Sequence, residues 1–193
     1  IPVRMIDRPV AVITASGKGM GAACARRLAR DGYALALLSP SERVETLARE
    51  LDAVAVRGSV TETDDLAQLV DAALDRYGRI DAAVCNTGHP PKGDLLEISD
   101  EDWHLALDLV LLNVIRTARL VVPHMQGRGG AIVSISTFGA IEPSLAFPAS
   151  SARRAALGGF TKLIADRFAS EGIRMNAAVS YTHLRAHETC HNR

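Results

Sequence analysis

A glycine-rich turn near the N-terminus is the first group of residues whose types and spacing could do chemistry. The segment TASGKGMG, residues 14–21, follows the apolar run PVAVIT and leads into the amphipathic run AACARRLARDG. Gly17, Gly19 and Gly21 allow the backbone to approach a ligand closely, and the amides and dipole at a helix start favour negative charge. A strand, a tight turn and a helix in this order predict a site for the pyrophosphate of a dinucleotide; the alternative is a flexible turn before a helix.

Six short apolar runs predict the strands that would position this turn. They are PVAVIT (9–14), YALALL (33–38), AVAVR (53–57), DAAVC (81–85), AIVSIS (131–136) and IRMNAAV (173–179). The stretches between them predict helices. One near 61–77 opens with TETDD, whose oxygen-rich side chains can cap a helix start, and one begins from about 100, where Ser99 and Asp102 have capping-box spacing. This alternation predicts a single α/β domain with a doubly wound parallel sheet, in which ligands bind at the carboxyl ends of the strands.

Composition excludes several classes of protein. Of 193 residues, 48% are hydrophobic and 23% charged, as in one folded globular domain. Basic and acidic residues both number 22, so no excess positive charge favours nucleic acid or an anionic membrane. We find neither an apolar run of the roughly 18 residues that span a bilayer nor a secretory signal. We therefore expect a cytoplasmic protein, with Cys24, Cys85 and Cys190 as free thiols.

The glycine turn resembles that of the short-chain dehydrogenase/reductase family, whose fingerprint is T-G-x-x-x-G-x-G between the same strand and helix. Thr14, Gly19 and Gly21 match it. Ala15 stands where the family has its first glycine, and Gly17 within the turn restores some flexibility.

The resemblance continues after the fourth predicted strand. CNTG, residues 85–88, is similar to the family's N-N-A-G and keeps Asn86 and Gly88. In all, the similarity spans about residues 9–179. It implies a Rossmann-like sheet and hydride transfer between a nicotinamide cofactor and a carbonyl or alcohol substrate.

The cofactor choice follows from charge. Ser39 and Ser41 occupy the region where an NAD enzyme would carry an acidic residue, Arg43 follows, and Lys18 lies inside the turn. These residues favour NADP over NAD, although Glu42 weakens the inference and both cations could be ordinary solvated charges. The predicted cofactor-binding residues are Thr14, Ala15, Ser16, Gly17, Lys18, Gly19, Met20, Gly21, Ser39, Arg43, Ser59, Val60, Asn86, Thr87 and Gly88.

The resemblance also locates the catalytic positions. AIVSISTFGA matches the family's fifth strand and places Ser136 at the catalytic serine. Ser150 and Arg154 stand where the family has its tyrosine and lysine, and Val110 stands at its asparagine, with Asn113 one turn further on. A serine is a far weaker acid than tyrosine, and arginine does not release a proton near neutral pH.

Two interpretations of this altered site remain open. Ser150 and Arg154 keep the i, i+4 spacing that points two side chains to one helix face. They form a variant site in which Ser136, Ser150 and Arg154 bind an oxyanion while water or substrate supplies the proton, or they are surface residues of a helix whose function has lapsed. The corresponding functions are an oxidoreductase and an NADP-binding pseudoenzyme without turnover.

The family pattern stops at Val179, so we expect a domain over 1–179 that lacks the family's final helix and strand, followed by a non-family tail over 180–193. SYTHLRAHET resembles translated sequencing-adapter read-through, and we expect the tail to be disordered or artefactual. Its histidines and cysteine are a conceivable metal site, but we predict no metal; they are His183, His187, Cys190 and His191. The resemblance further implies a possible homodimer through the helices near 100–125 and 149–170.

Overall fold

The computed structural model describes residues 6–180, which form one six-stranded parallel sheet with helices on both faces. The strands are β1 (Val10–Ile13), β2 (Ala34–Ser39), β3 (Val54–Arg57), β4 (Ala82–Cys85), β5 (Gly130–Thr137) and β6 (Ile173–Ser180). The sheet order is β3-β2-β1-β4-β5-β6. The predicted α/β class and doubly wound sheet are confirmed, and each strand begins and ends within one residue of its predicted bounds.

The helices alternate with the strands. They are α1 (Gly19–Arg30), α2 (Arg43–Leu51), α3 (Thr63–Tyr77), α4 (Asp100–Leu107), α5 (Asn113–Met125) and α6 (Pro148–Phe168). A π-helical turn, Asp108–Leu112, joins α4 to α5, so that 100–125 is one continuous helical segment. The helices predicted near 61–77 and from about 100 are therefore present.

Two apolar layers hold the helices against the sheet. On one face the core includes Leu69 of α3, Val121 of α5 and Leu157 of α6; on the other it includes Ala25 of α1 and Leu47 of α2. Every residue of β1 and β2 is buried, because a parallel strand between two helix layers has no solvent face. This is why these strands appear in the sequence as continuous apolar runs.

Only one of the two predicted helix starts behaves as expected. The Ser99 hydroxyl accepts the Asp102 amide at 3.2 Å and caps α4. The expected side-chain cap in TETDD is wrong, since Glu62 makes no such bond at the start of α3. Instead the Asp65 carboxylate accepts the Ser59 amide at 2.7 Å, which fixes the turn between β3 and α3.

The C-terminal edge of the sheet is formed by β6, which is less buried than the other strands. Ile173 and Met175 are buried, and the strand is exposed from Asn176 onward. It extends one residue past the predicted 179, since Ser180 pairs with Thr137 and its hydroxyl donates to the Ser136 carbonyl at 3.2 Å.

Several predictions about the ends of the chain lie beyond the described residues. The tail histidines and Cys190 fall in residues 181–193, so the tail and its conceivable metal site stay predictions. Within residues 6–180 there is no group of three or more metal-ligating side chains. In the same range no helix is both long and apolar enough to cross a bilayer. Cys24 and Cys85 are free thiols, as expected.

Candidate active site

The glycine turn lies at the carboxyl end of β1, where the strand order reverses between β1 and β4. A Cβ built at Gly21 would lie 2.9 Å from Asn86 Nδ2 and closer still to the Ala15 carbonyl oxygen, so only glycine fits. Gly19 has a φ of +55°, and a Cβ at Gly19 or Gly88 would meet nothing within 4 Å. The turn therefore leaves backbone exposed beside the start of α1, as a phosphate site requires.

Ala15 takes the first-glycine position of the turn in a conformation that suits glycine. Its φ is +47°, in the left-handed region. Its carbonyl accepts the Asn86 side-chain amide at 3.0 Å, which holds the backbone in place. A residue with a Cβ is strained there by about 1–2 kcal/mol.

Buried hydrogen bonds join the end of β1 to the end of β4. The Thr14 hydroxyl donates to the Asn86 carbonyl at 2.7 Å and accepts the Asn86 amide at 2.9 Å. Asn113 adds to this network, because its side-chain amide donates to the same Asn86 carbonyl at 3.1 Å and to the Leu109 carbonyl at 3.3 Å. The two ends of these strands are fixed relative to each other.

Val110 stands at the position of the family's asparagine, and the polar side chain nearby is that of Asn113. Val110 is buried in the π-helical turn and its side chain has no hydrogen-bonding atom. Asn113, which the sequence places one turn further on, contacts the end of β4 through Asn86. Its Oδ1 is buried and has no partner among the described residues.

A groove of about 360 Å³ opens beside the turn, between α1 and α2. Lys18 and Arg43 line it and have no hydrogen-bond or ion-pair partner in the described part of the chain. Arg26 lines it too, but forms an ion pair with Glu50 at 2.9 Å. The predicted Ser39 lies against the turn, since a Cβ at Gly17 would be 2.6 Å from its hydroxyl oxygen.

The remaining predicted cofactor residues lie at the carboxyl ends of neighbouring strands. The Ser16 hydroxyl donates to the Leu38 carbonyl at 3.1 Å, while Val60 is buried after β3. Thr87 follows β4, and its hydroxyl oxygen is buried with no partner among residues 6–180. All these residues follow strands at the carboxyl end of the sheet.

A second cleft, of about 450 Å³, adjoins the turn through Met20. It brings together Ser136, Ser150 and Arg154. The cleft is also lined by residues that the sequence did not single out, namely His89, Pro90, Thr137, Phe138, Gly139, Glu142, Ser144, Phe147, Ser151 and Ser180. The signal for His89 was its place directly after Gly88, past the end of β4.

Arg154 is the fixed cation of this cleft. Its Nε donates to the Ser150 hydroxyl at 3.3 Å, which confirms that the i, i+4 pair shares one face of α6, and its Nη1 donates to the Ile135 carbonyl. Burial lowers the pKa of the Arg154 guanidinium, which still remains charged near neutral pH. No carboxylate of the described residues forms an ion pair with it.

Cys85 is a buried titratable residue that lies beneath the site. It ends β4 directly before Asn86, and burial raises the pKa of its thiol to about 12. A thiol in this state is neutral and weakly nucleophilic. Cys85 therefore belongs to the packing beneath the site.

Comparison with known sequences gives the relatives of this chain. A family model described as enoyl-(acyl carrier protein) reductase matches residues 14–187. Dehydrogenase/reductase SDR family member 4 of Pongo abelii is 35% identical, over 86% of this chain and 63% of that protein. Cis-4-hydroxycyclohexanecarboxylate dehydrogenase of Sinomonas cyclohexanicum is 34% identical, over 87% and 70%. The chain thus spans 63% of the length of the first of these relatives.

Solved structures share the fold. L-sorbose reductase from Gluconobacter frateurii, complexed with NADPH and L-sorbose, has a TM-score of 0.84 and 30% identity, covering 90% of this chain and 69% of that one. Acetoin dehydrogenase from Enterobacter cloacae has a TM-score of 0.83 and 28% identity, covering 89% and 72%.

The strain at Ala15 leads to a stability prediction. We expect Ala15→Gly to raise the free energy of unfolding by about 1 kcal/mol, because glycine adopts the positive φ without steric cost. Ala23→Gly in the exposed interior of α1 is the matched control and should lower stability by about 1 kcal/mol. Chemical denaturation of both variants measures this, and a loss of stability in Ala15→Gly would show that the turn is not strained there.

Proposed function

The chain belongs to the short-chain dehydrogenase/reductase family of NAD(P)-dependent oxidoreductases, and on this basis we propose that it binds NADPH and catalyses hydride transfer to or from a small carbonyl or alcohol substrate. The observation that carries this proposal is that the glycine turn borders both clefts, since Gly17, Lys18 and Gly19 line the groove beside α2. Met20 belongs to the glycine turn and also lines the cleft that contains Ser136 and Arg154. A dinucleotide held at the turn therefore has its reactive end beside those side chains.

The residues of the turn fit such a cofactor. The open backbone at Gly19 and Gly88 and the start of α1 would hold the pyrophosphate. The free cations Lys18 and Arg43, with Ser39 nearby, suit the additional phosphate of NADPH better than the ribose hydroxyls of NADH. The similarity to a reductase solved with NADPH agrees with this choice.

The cleft supplies the polar groups of the reaction, while the bound cofactor would supply or accept the hydride. The Ser136 hydroxyl can donate a hydrogen bond to the substrate oxygen, and the positive charge of Arg154 stabilises negative charge on it. Ser150 orients Arg154 and is too weak an acid to deliver the proton. Among the lining residues of the cleft, His89 is the one imidazole, a group that can both donate and accept a proton, so we assign it the proton transfer.

The substrate and compartment follow from the same features. The cleft volume of about 450 Å³ suits a small molecule, and the charge balance gives no reason to add nucleic acid or membrane as a partner. We place the protein in the cytoplasm, where the free thiols Cys24 and Cys85 stay reduced.

We also propose that the chain forms a homodimer through α5 and α6. An apolar groove of about 390 Å³ lies between these helices, lined by Val122, Phe160, Ile164 and Phe168 among others. Leu163 is 68% exposed next to it. Unlike the two polar clefts, this groove is lined mostly by apolar side chains. An exposed apolar surface of this kind favours contact with another protein surface.

Cofactor titration tests the first proposal. NADPH should quench or shift protein fluorescence saturably and bind more tightly than NADH. Arg43→Ala should weaken NADPH by about 10-fold through loss of a charge-assisted contact and leave NADH nearly unchanged. Arg27→Ala, which removes a charge of α1 paired with Asp31, is the control and should affect neither cofactor. Equal loss of both cofactors in Arg43→Ala would contradict the choice of NADPH.

Turnover tests the catalytic roles. With NADPH and a panel of small aldehydes and ketones, Ser136→Ala and His89→Gln should each lower kcat by about 100-fold. Ser134→Ala, whose buried hydroxyl lies on the same strand outside the cleft, and His104→Gln on α4 are the controls.

The measured rates decide between an oxidoreductase and a pseudoenzyme. A wild-type rate in Ser136→Ala or His89→Gln would remove that residue from the mechanism. A protein that binds NADPH and turns over none of these substrates would instead support the NADP-binding pseudoenzyme.

Light scattering tests the dimer. The mass in solution should be twice the 20.6 kDa of one chain. Leu163→Glu should shift it to the monomer, because a charge cannot be buried unpaired in an apolar interface. Leu96→Glu changes an exposed leucine of the loop before α4 and should leave the dimer intact. A monomeric wild type rules out the proposal.

A further inference from the structure

Arg116 of α5 joins two turns at the carboxyl end of the sheet. Its Nη1 donates to the Thr61 carbonyl, in the turn between β3 and α3, at 3.0 Å. The same nitrogen pairs with the Asp108 carboxylate of the π-helical turn at 2.7 Å. The side chains of Arg116 and Asp108 are 21% and 34% exposed, so the two charges are partly shielded from water and attract each other more strongly than a surface pair.

The turn that Arg116 contacts is shaped by short-range hydrogen bonds. The Ser59 hydroxyl lies 2.7 Å from the Thr61 hydroxyl and accepts the Thr61 amide at 3.2 Å. The Asp65 carboxylate accepts the Ser59 amide at 2.7 Å. These bonds shape the turn but do not join it to α5. The bond from Arg116 to Thr61 spans 55 positions in the sequence, so it ties the turn to a different helix.

The same helix holds a second turn. Three residues before Arg116, the Asn113 side chain donates to the carbonyl of Asn86, beyond the end of β4. Residues three apart lie on one side of a helix, so the start of α5 holds the turns after β3 and after β4 together. Both turns carry predicted cofactor residues, Ser59 and Val60 on the first and residues 86–88 on the second.

The place of the turn after β3 points to one half of the cofactor. In the proposed function, the pyrophosphate lies at the glycine turn after β1, and the reactive end lies in the cleft beside Ser136 of β5. In the sheet, β5 lies on one side of β1, and β2 and β3 lie on the other. A dinucleotide that crosses the sheet therefore has its adenosine half at the ends of β2 and β3, where Val60 is buried.

We propose that Arg116 is a positioning residue for the adenosine half of NADPH, because it holds the turn that carries Ser59 and Val60 in place. The proposal rests on the proposed oxidoreductase function and deepens its cofactor site. The guanidinium acts through the turn, since its contacts are with Thr61 and Asp108. Loss of the guanidinium would release the turn from α5 and weaken adenosine binding.

Binding measurements test this role without any substrate. Calorimetry gives the dissociation constants of NADPH and of adenosine 2′,5′-bisphosphate, which is the adenosine half of NADPH. Arg116→Met removes the hydrogen bond and the ion pair but keeps an apolar side chain, so we expect both constants to rise by the same factor, about 10-fold. Arg116→Lys keeps a positively charged donor and should recover part of the affinity.

Arg79→Met is the matched control. The Arg79 side chain is also 21% exposed, and it pairs with Asp81 at 2.6 Å. This pair lies at the amino end of the sheet, just before β4. Breaking it should lower the melting temperature as Arg116→Met does, but it should leave both dissociation constants unchanged. The comparison separates a loss of stability from a loss of position.

Three results would overturn the proposal and leave the proposed function intact. One is unchanged affinity for both ligands in Arg116→Met. Another is a loss of affinity for NADPH alone, which would place the effect outside the adenosine half. The third is an equal loss of affinity in Arg79→Met, which would show a general effect of lower stability. A wild-type protein that binds neither NADPH nor the bisphosphate would overturn the proposed function and this role together.

Discussion

The bonds between Thr14 and Asn86 are the contact on which the site depends. One buried hydroxyl donates to the carbonyl of Asn86 and accepts its amide, so two backbone groups beyond the end of β4 are satisfied from the end of β1. Without that hydroxyl the Asn86 amide would be buried and unpaired, at about 1–3 kcal/mol, and the Asn86 carbonyl would keep only the Asn113 side-chain amide. Asn86 in turn holds the Ala15 carbonyl, and Asn113 holds Asn86. The glycine turn and the end of β4 thus form one rigid unit at the reversal of strand order.

The positive charges of the site act in two different environments. Lys18 and Arg43 are exposed at the groove beside the turn, where solvent and salt screen them. Solvent and salt therefore weaken the attraction of these two charges for a phosphate. Arg154 is half-buried and held by two hydrogen bonds, so its charge is screened less and its direction is fixed. A charge at such a position acts more strongly on a bound ligand than a charge at the exposed groove.

Most of the fold was predictable from the sequence, and the reason is burial. β1 and β2 are covered on both faces, so each is a continuous apolar run with polar residues at its ends. The prediction of a side-chain cap for α3 was wrong. Asp65, one of the acidic residues at the helix start, accepts the backbone amide of Ser59 instead. The local sequence shows that side-chain oxygens are available near the start of α3. Which backbone amides they accept depends on how the turn after β3 folds.

For the site, the sequence by itself determined which residue types stand at the ends of the strands, because short-range order of strand, turn and helix fixes the backbone of a glycine turn. It also placed Ser150 and Arg154 on one helix face through their spacing. Only the tertiary structure brought His89 and Ser136 to the same cleft, joined Asn113 to Asn86 and left Arg154 without an acidic partner among the described residues. These contacts join residues about 20 to 50 positions apart on different elements, and they depend on how the helices pack against the sheet, which no local pattern records.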